Sequence, residues 1–301
     1  MTRLNLEQLR TFLEVVRLGG VRRAAQSLGV TQPAVSARIK ALEESLAVPL
    51  FDRTAGGLAL TRRGEMLIRY AEQFEHLSEQ VAADIVAPEG IEMRLRLGVA
   101  ETVAQCWLPD LVGALHRAFP KVEIEIAVDV SSNLRNALVN REIDLAFLLG
   151  PVSDSSVDNV ALPGFDLAWY VAADCPAPPG GDAALIATRP VITYARNTRP
   201  HRELKAALFE RVGPGVQLFS SSSLSACFRL VEAGLGVAAL PSALGHPMVA
   251  RGTLRRFEPG WTPQPLQFTA SYLGDPKSHV VSTAAQMALR TARDWQGDRK
   301  T

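Results

Sequence analysis

The chain has 301 residues and 47% hydrophobic content, a length that usually divides into about two domains and an apolar share that excludes a disordered chain. With 32 Lys and Arg against 31 Asp and Glu the net charge is only +1, which argues against a uniformly basic nucleic-acid coat protein because nothing in the total attracts phosphate. Three cysteines, Cys106, Cys175 and Cys227, form no CxxC pair and so exclude a disulfide scaffold and point to a reducing compartment.

The start, Met1-Thr2-Arg3, reaches charge at once, and no stretch approaches the ~18 apolar residues of a membrane span. A cytoplasmic protein is the expectation. Resolved along the chain, the charge is uneven: +5 over residues 1–63, −4 over 64–87 and zero over 88–301. A basic head, an acidic connector and a neutral body follow.

In the head, Leu6, Leu9, Phe12, Leu13 and Val16 recur at three- and four-residue steps and predict a helix that stops at Gly19-Gly20. A second helix spans about Val21 to Leu28, with small Ala24 and Ala25 on its inner side. Gly29 allows a left-handed turn, Thr31 is a candidate N-cap, and Pro33 falls in a first turn where its missing N–H costs little. The third helix turns Val35, Ile39 and Leu42 inward and Gln32, Ser36, Arg38 and Lys40 outward, groups suited to base edges and phosphates. Helix, tight turn, helix with a polar outer face is the helix-turn-helix pattern, although a plain three-helix bundle would show a similar solvated face.

The strands Phe51-Asp52-Arg53-Thr54 and Leu58-Ala59-Leu60-Thr61 flank Ala55-Gly56-Gly57, with Arg53, Arg62 and Arg63 around them. This is a hairpin wing able to touch phosphate or the minor groove. Thr61 then caps a long helix to about Val86 whose Leu67, Tyr70, Phe74, Leu77 and Val81 form an apolar seam, and an antiparallel copy from a second subunit is its economical partner.

The run Leu9-Arg10-Thr11-Phe12, Ala24-Ala25-Gln26-Ser27-Leu28-Gly29-Val30-Thr31-Gln32-Pro33-Ala34-Val35-Ser36, Leu50-Phe51-Asp52-Arg53 and Leu60-Thr61-Arg62-Arg63-Gly64 closely resembles the DNA-binding domain of LysR-type transcriptional regulators. The resemblance covers about the first 65 residues, and the long helix fits it as well. Many members place Arg directly after the recognition-helix Ser; here Ala37 follows Ser36 and Arg38 comes one position later. The resemblance implies a winged helix-turn-helix, a linker helix and a periplasmic-binding-protein-like effector domain of two Rossmann-like subdomains, assembled as a dimer of dimers on DNA. Thr31, Gln32, Pro33, Ser36, Arg38, Lys40, Arg53, Arg62 and Arg63 are the candidate DNA contacts.

The body is expected to be α/β from about Arg94. A strand at 94–99 leads into a helix closed by Phe119-Pro120, then a strand at 122–128, a helix at 134–139 and a strand at 144–149, an alternation that implies a parallel sheet. A second set follows with strands at 168–171, 190–194, 217–219 and 236–241, and a strand at 266–272 with the last helix returns to the first set. The run from Val231 to Pro241, preceded by Ser222-Ser223-Leu224, resembles the second half of the family's effector domain. The division is therefore a head (1–63), a linker helix (64–87), a hinge (88–93) and an effector domain (94–301), the latter with one subdomain at 94–161 and 267–301 and the other at 162–266.

Ligands of such folds lie at the carboxyl ends of strands, beside helix N-termini. Position there nominates Thr102, Val103, Ser131, Ser132, Phe147, Arg196, Thr198, Arg199, Ser222 and Val237 as effector contacts. The helix starts with Arg196 or Arg199 suit a small carboxylate, whereas Glu101 would repel an anion or pair with a cation. The five dispersed histidines give no zinc spacing, Gly234-Leu235-Gly236 precedes a strand rather than opening a helix, and no Gly-x-Ser-x-Gly elbow occurs. No cofactor, metal site or catalytic residue is expected. Two functions compete: a ligand-responsive DNA-binding regulator, or a solute-binding protein or enzyme that carries the head as an interaction module.

On the first reading a dimer sets two recognition helices in successive major grooves about 10 base pairs apart, on an interrupted palindrome. Gln32→Ala should then change discrimination between duplexes, whereas Arg53→Ala should weaken binding on all of them and flatten its salt dependence. Titration of specific and random duplexes at several salt concentrations separates the two, and equal loss on both for Gln32→Ala removes its base-reading role.

Overall fold

The computed structural model describes residues 4–54, 57–86, 93–275 and 278–297. It divides into two compact units, Met1–Arg94 and Leu95–Thr301.

The first unit opens with α1 (Leu6–Leu18), whose Asn5 side chain accepts a hydrogen bond from the Glu7 N–H and which ends at Gly19 in the left-handed region. After α2 (Val21–Ser27) comes Gly29 with φ +63°, a turn that a β-carbon would strain. The next helix, α3 (Gln32–Leu46), starts at Thr31, whose hydroxyl accepts from the Ala34 N–H, with Pro33 in the first turn. Leu9, Phe12 and Leu13 of α1 close on Ala24 and Ala25 of α2 and on Val35, Ile39 and Leu42 of α3. The alanines leave room for the helices to approach, and one apolar face of each helix is removed from water.

A hairpin follows, β1 (Phe51–Thr54) against β2 (Gly57–Leu60), antiparallel with Phe51 opposite Leu60. The turn residues Ala55 and Gly56 lie outside the described residues. Glu43, at the end of α3, accepts the N–H groups of Leu50 and Phe51 at 2.7 and 3.2 Å and so ties the hairpin to α3. The hydroxyl of Thr61 accepts from the Gly64 N–H at 3.0 Å and donates to the Pro49 carbonyl at 2.9 Å, which starts α4 (Arg62–Val86) against the wing. Arg17 of α1 meets Glu75 of α4 at 2.7 Å.

The seam on α4 differs from the expected one by a single residue. Leu67 packs, half-buried, against the core of the head. Its place in the outward stripe is taken by Met66, which is exposed together with Tyr70, Phe74, Leu77 and Val81. One residue is about 100° of helix rotation, enough to move a side chain from one face to the next.

In the second unit β3 (Met93–Val99) leads to α5 (Glu101–Gln105), α6 (Leu108–Ala118), β4 (Val122–Val128), α7 (Ser131–Val139), β5 (Leu145–Leu149) and β6 (Val157–Ala161). The single helix expected up to Phe119 is two. Pro109, in the first turn of α6, lacks an N–H and its ring would meet the carbonyl four residues back, so no helix runs through. The chain continues through β7 (Leu167–Ala172), a turn into α8 (Leu185–Thr188), β8 (Val191–Thr193), α9 (Arg199–Arg211), β9 (Leu218–Ser220), α10 (Leu224–Glu232), β10 (Ala238–Pro241), α11 (Ser242–Ala250) and β11 (Leu254–Phe257). It returns as β12 (Phe268–Leu273) and α12 (His279–Gly297).

The first sheet has the order β4-β3-β5-β12-β6. It is mixed rather than parallel: β3 and β5 run parallel, while β12 is antiparallel to both β5 and β6. The returning strand enters from the far end, which reverses its direction. Two short sheets, β8-β9 and β10-β7-β11, make up the second half, and a parallel bridge between Val191 and Val237 joins them. The halves are thus built alike, with parallel pairing on one side and antiparallel strands on the other. Where the chain crosses between halves, Phe165 and Leu266 pair in an antiparallel bridge. Between β3 and the start of β5, the largely buried guanidinium of Arg96 meets Asp144 at 3.0 Å, a paired arrangement that makes a buried charge tolerable.

The seat of α4 is checked at Gly64, where a β-carbon would stand 2.3 Å from the Leu50 carbonyl oxygen. Backbone has to shift to admit it, so Gly64→Ala is expected to destabilise the head by about 1–3 kcal/mol. Urea unfolding followed by circular dichroism measures this, and an unchanged midpoint contradicts the packing.

Candidate functional site

On α3 the residues Gln32, Ser36 and Lys40 follow at four-residue steps and are all exposed, with Pro33 and Ala37 beside them. Val35, Ile39 and Leu42 on the opposite face are buried, so the helix is held by one side and presents the other. Arg38 departs from the expected arrangement. Its guanidinium turns back to α1, 3.3 Å from the Glu7 carboxylate and 3.3 Å from the Thr11 hydroxyl, because its long side chain reaches a carboxylate on the neighbouring helix. Lys40 stays in solvent, 3.7 Å from Glu44. Arg62 and Arg63 are exposed at the start of α4. The backbone of Arg53 lies in β1, and its side chain is outside the described residues. Arg22 of α2 is an exposed cation that the sequence pattern did not single out.

In the second unit a cavity of about 290 Å³ lies where the two halves face each other. Four strand-to-helix turns line it: Ala100-Glu101-Thr102 after β3, Val128 to Ser131 after β4, Tyr194, Ala195 and Thr198 after β8, and Ser221 to Leu224 ahead of α10. Leu266 and Phe268, where the chain crosses back to the first half, also line it. Of the nominated residues, Thr102, Ser131, Thr198 and Ser222 line this space together. Ser132 is adjacent, and its hydroxyl accepts a hydrogen bond from the Asn197 amide at 3.0 Å.

The other nominated residues do not line it. Val103, Phe147 and Val237 are fully buried. Phe147 stacks edge-on against Trp107 at 5.4 Å, and Val237 belongs to the core of the second half. Both sit on or beside strands covered on both faces, where closeness in sequence to a turn does not bring a side chain into the cleft. Arg196 donates to the Ser220 hydroxyl at 3.3 Å, and Arg199 donates to the Gly150 carbonyl at 3.3 Å. Neither is among the lining residues, so the cations expected to hold an anion point elsewhere.

Capping explains only some of the hydroxyls. Ser223 accepts from the Ala226 N–H at 3.2 Å as an N-cap, and Ser221 accepts from the Ser223 N–H at 3.1 Å. Ser131 instead accepts from the Leu149 N–H at 2.9 Å, and Thr198 donates to the Ala195 carbonyl at 2.6 Å. Neither caps its helix through the side chain.

Glu101 behaves in a way its sequence position does not suggest. Rather than facing a cation, its carboxylate accepts the Leu224 N–H at 2.5 Å, the Ser225 N–H at 2.9 Å and the Ser225 hydroxyl at 2.6 Å, all at the start of α10. Asp129 is the other acid of the lining, and it accepts the Val130 N–H at 2.6 Å and the Asn133 amide at 3.0 Å. Beside them, burial and then the Glu101 charge push the Cys227 thiol up to about 11. Burial also raises the Tyr194 phenol far above its ordinary range, and that hydroxyl donates to the Ala239 carbonyl at 3.4 Å.

A head with an outward polar helix and a wing, followed by a two-halved α/β body with a hydroxyl-lined cavity, is matched piece by piece in known proteins. The family model for the bacterial regulatory helix-turn-helix protein, lysR family, matches residues 6–65, and that for the LysR substrate binding domain matches residues 88–295. The chain belongs to the LysR family. It is a DNA-binding transcriptional regulator whose second unit is the family's effector-binding clamshell. It is 30% identical over 236 residues to the HTH-type transcriptional regulator YofA of Bacillus subtilis (strain 168), covering 78% of this chain and 80% of that protein. In fold it is similar to full-length CbnR complexed with its target DNA, with a TM-score of 0.64 at 18% identity over 96% of this chain and 100% of that one. Full-length LysG from Corynebacterium glutamicum, with bound effector Arg, is similar at a TM-score of 0.59 and 18% identity over 97% and 99% of the two chains.

Among the described residues, no group of three or more His, Cys, Asp or Glu could hold a metal ion, and no helix is long and apolar enough to cross a membrane. Cys106 and Cys227 are buried and Cys175 is half-buried. Because a raised pKa keeps Cys227 protonated below about 11 and the thiolate is the nucleophile, iodoacetamide at pH 8 should label Cys175 first in the native regulator. Mass spectrometry of the time course checks this, and early labelling of Cys227 contradicts its burial.

Proposed function

We propose that this LysR-type regulator works as a cytoplasmic homodimer, paired further into a dimer of dimers, that reads an interrupted palindrome and is modulated by a small molecule in the clamshell cavity. It carries out no catalytic step. The working division is the head at 1–63, the linker helix at 64–87, the hinge at 88–93 and the effector domain beyond.

In the head, Gln32 and Ser36 touch bases. Thr31, Pro33, Lys40, Arg53, Arg62 and Arg63 engage phosphate or the minor groove, and Arg38 supports the helix from behind. Half or more of protein–DNA hydrogen bonds go to the backbone and only position the reader, so a short base-reading stripe is sufficient on each subunit. CbnR, similar in fold, is complexed with its target DNA, which supports this use of the head. The exposed seam of Tyr70, Phe74, Leu77 and Val81, with Met66, is the surface for a second α4.

The observation that carries the effector reading is convergence: Thr102, Ser131, Thr198 and Ser222 come from four separate turns to one cavity of about 290 Å³. That size suits a compact metabolite rather than a chain molecule. The ligand's carboxylate, if it is to be held without Arg196 and Arg199, is held by backbone N–H groups and these hydroxyls. LysG, similar in fold, has bound effector Arg.

A thermal-shift screen of small metabolites, repeated on Thr198→Ala and Ser222→Ala, tests the cavity. Stabilisation should drop in both variants, and a shift that survives both places the effector elsewhere. For the seam, Phe74→Glu puts a charge where a second helix must pack and should weaken dimerisation at least tenfold by sedimentation. An unchanged dimer overturns that assignment.

A further inference from the structure

The Glu101 carboxylate, from the first half of the clamshell, is seated on the start of α10 in the second. Leu224 and Ser225 donate their N–H groups to it and Ser225 adds its hydroxyl, while Gln105, one turn further along α5, donates to the same carboxylate at 2.9 Å and to the Ser225 hydroxyl at 2.9 Å. Two further bonds cross nearby, from Asn197 to Ser132 and from Arg199 to the Gly150 carbonyl. An acid bound to neutral N–H groups at a helix start is the arrangement in which a free carboxylate would itself be held. Here the chain supplies that carboxylate from its own wall of the cavity.

We propose that Glu101 is a built-in carboxylate ligand for α10: it latches the two halves across the cavity, and an effector releases the latch by presenting its own carboxylate to the Leu224 and Ser225 N–H groups. This rests on reading the cavity as the effector site. An intramolecular group competes with an effective concentration in the millimolar range for a short tether. A monofunctional acid therefore displaces Glu101 poorly, and an effector succeeds through its additional contacts with Thr198, Ser222 and Ser131. The ligand binds the unlatched arrangement and not the latched one, and only such a difference can shift the population between them.

Propionate is the probe, with propionamide as its uncharged counterpart and chloride at equal ionic strength, applied to full-length wild type, Glu101→Ala and Glu101→Gln. Amide hydrogen exchange at Leu224 and Ser225 should quicken at least tenfold in Glu101→Ala and less in Glu101→Gln, which keeps one acceptor oxygen. Propionate should restore protection in Glu101→Ala at concentrations that leave wild type unchanged, and propionamide should not. Unchanged exchange, or equal propionate effects on wild type and Glu101→Ala, overturns the latch. If Glu101→Ala does not fold, the same comparison is made on Glu101→Gln, with a smaller rescue expected and none overturning the proposal. Rescue by propionate together with intact metabolite responses in Thr198→Ala and Ser222→Ala would retain the latch and remove the effector reading. Loss of those responses without rescue would do the reverse.

Discussion

Every helix begins with N–H groups that no turn of its own can accept, and the way each is satisfied organises this molecule. In the head the acceptors are local: Asn5 for α1, Thr31 for α3 and Thr61 for α4 lie next to the donors they serve. The recognition helix therefore starts at a position set by its own sequence and can present Gln32, Ser36 and Lys40 in a fixed row. In the clamshell the start of α10 is served partly by Ser223 and partly by Glu101, which is 123 residues from Leu224. A need that is local in the head thus becomes a link between halves in the sensor. The same donors that stabilise α10 join two walls of a cavity.

That contrast also explains which parts were legible in the sequence. The three helices, the wing and the linker are encoded by steps of three and four residues, a Gly turn and adjacent caps, all within about 80 residues. The α/β alternation is equally local. The antiparallel return of β12 beside β5 is not, because its partner lies over a hundred residues away and β-pairing leaves little trace in a single strand. Short β6 and β11, VDNVA and LRRF, carry too little apolar pattern to register. At the site, Thr102, Ser131, Thr198 and Ser222, all nominated by chain position, line one cavity. Val103 is instead buried within α5, and Phe147 and Val237 lie on or beside strands covered on both faces, since proximity to a turn does not say which way a side chain faces. Leu67 and Arg38 show two further limits: one residue of helix rotation, and the reach of a long cation back to a neighbouring helix.

Charge along the chain takes on a different meaning once the contacts are known. The head carries a net +5, but Arg38 is spent on Glu7 and Arg17 on Glu75 of the linker helix. One acid of the linker, Glu75, thus engages a cation of the head as well as lowering the total. With those cations engaged internally, each head has fewer to offer to phosphate. Since every phosphate contact contributes about 0.9 to the salt slope, a single head should bind with shallow salt dependence and modest affinity.

Modest affinity per head shifts the control of binding from strength to geometry. In the proposed dimer, two weak readers joined through their α4 helices gain from effective concentration only when both half-sites are in reach at once. Altering their spacing therefore changes occupancy without touching a single base contact. A sensor that exchanges an internal carboxylate for an external one need not alter the recognition helix at all. It has only to favour one arrangement of its two halves by an amount equal to the ligand's preference for that arrangement. On this account the hydrogen bonds of Glu101 set the threshold for response, and the hydroxyls of Thr198, Ser222 and Ser131 determine which carboxylate is strong enough to cross it.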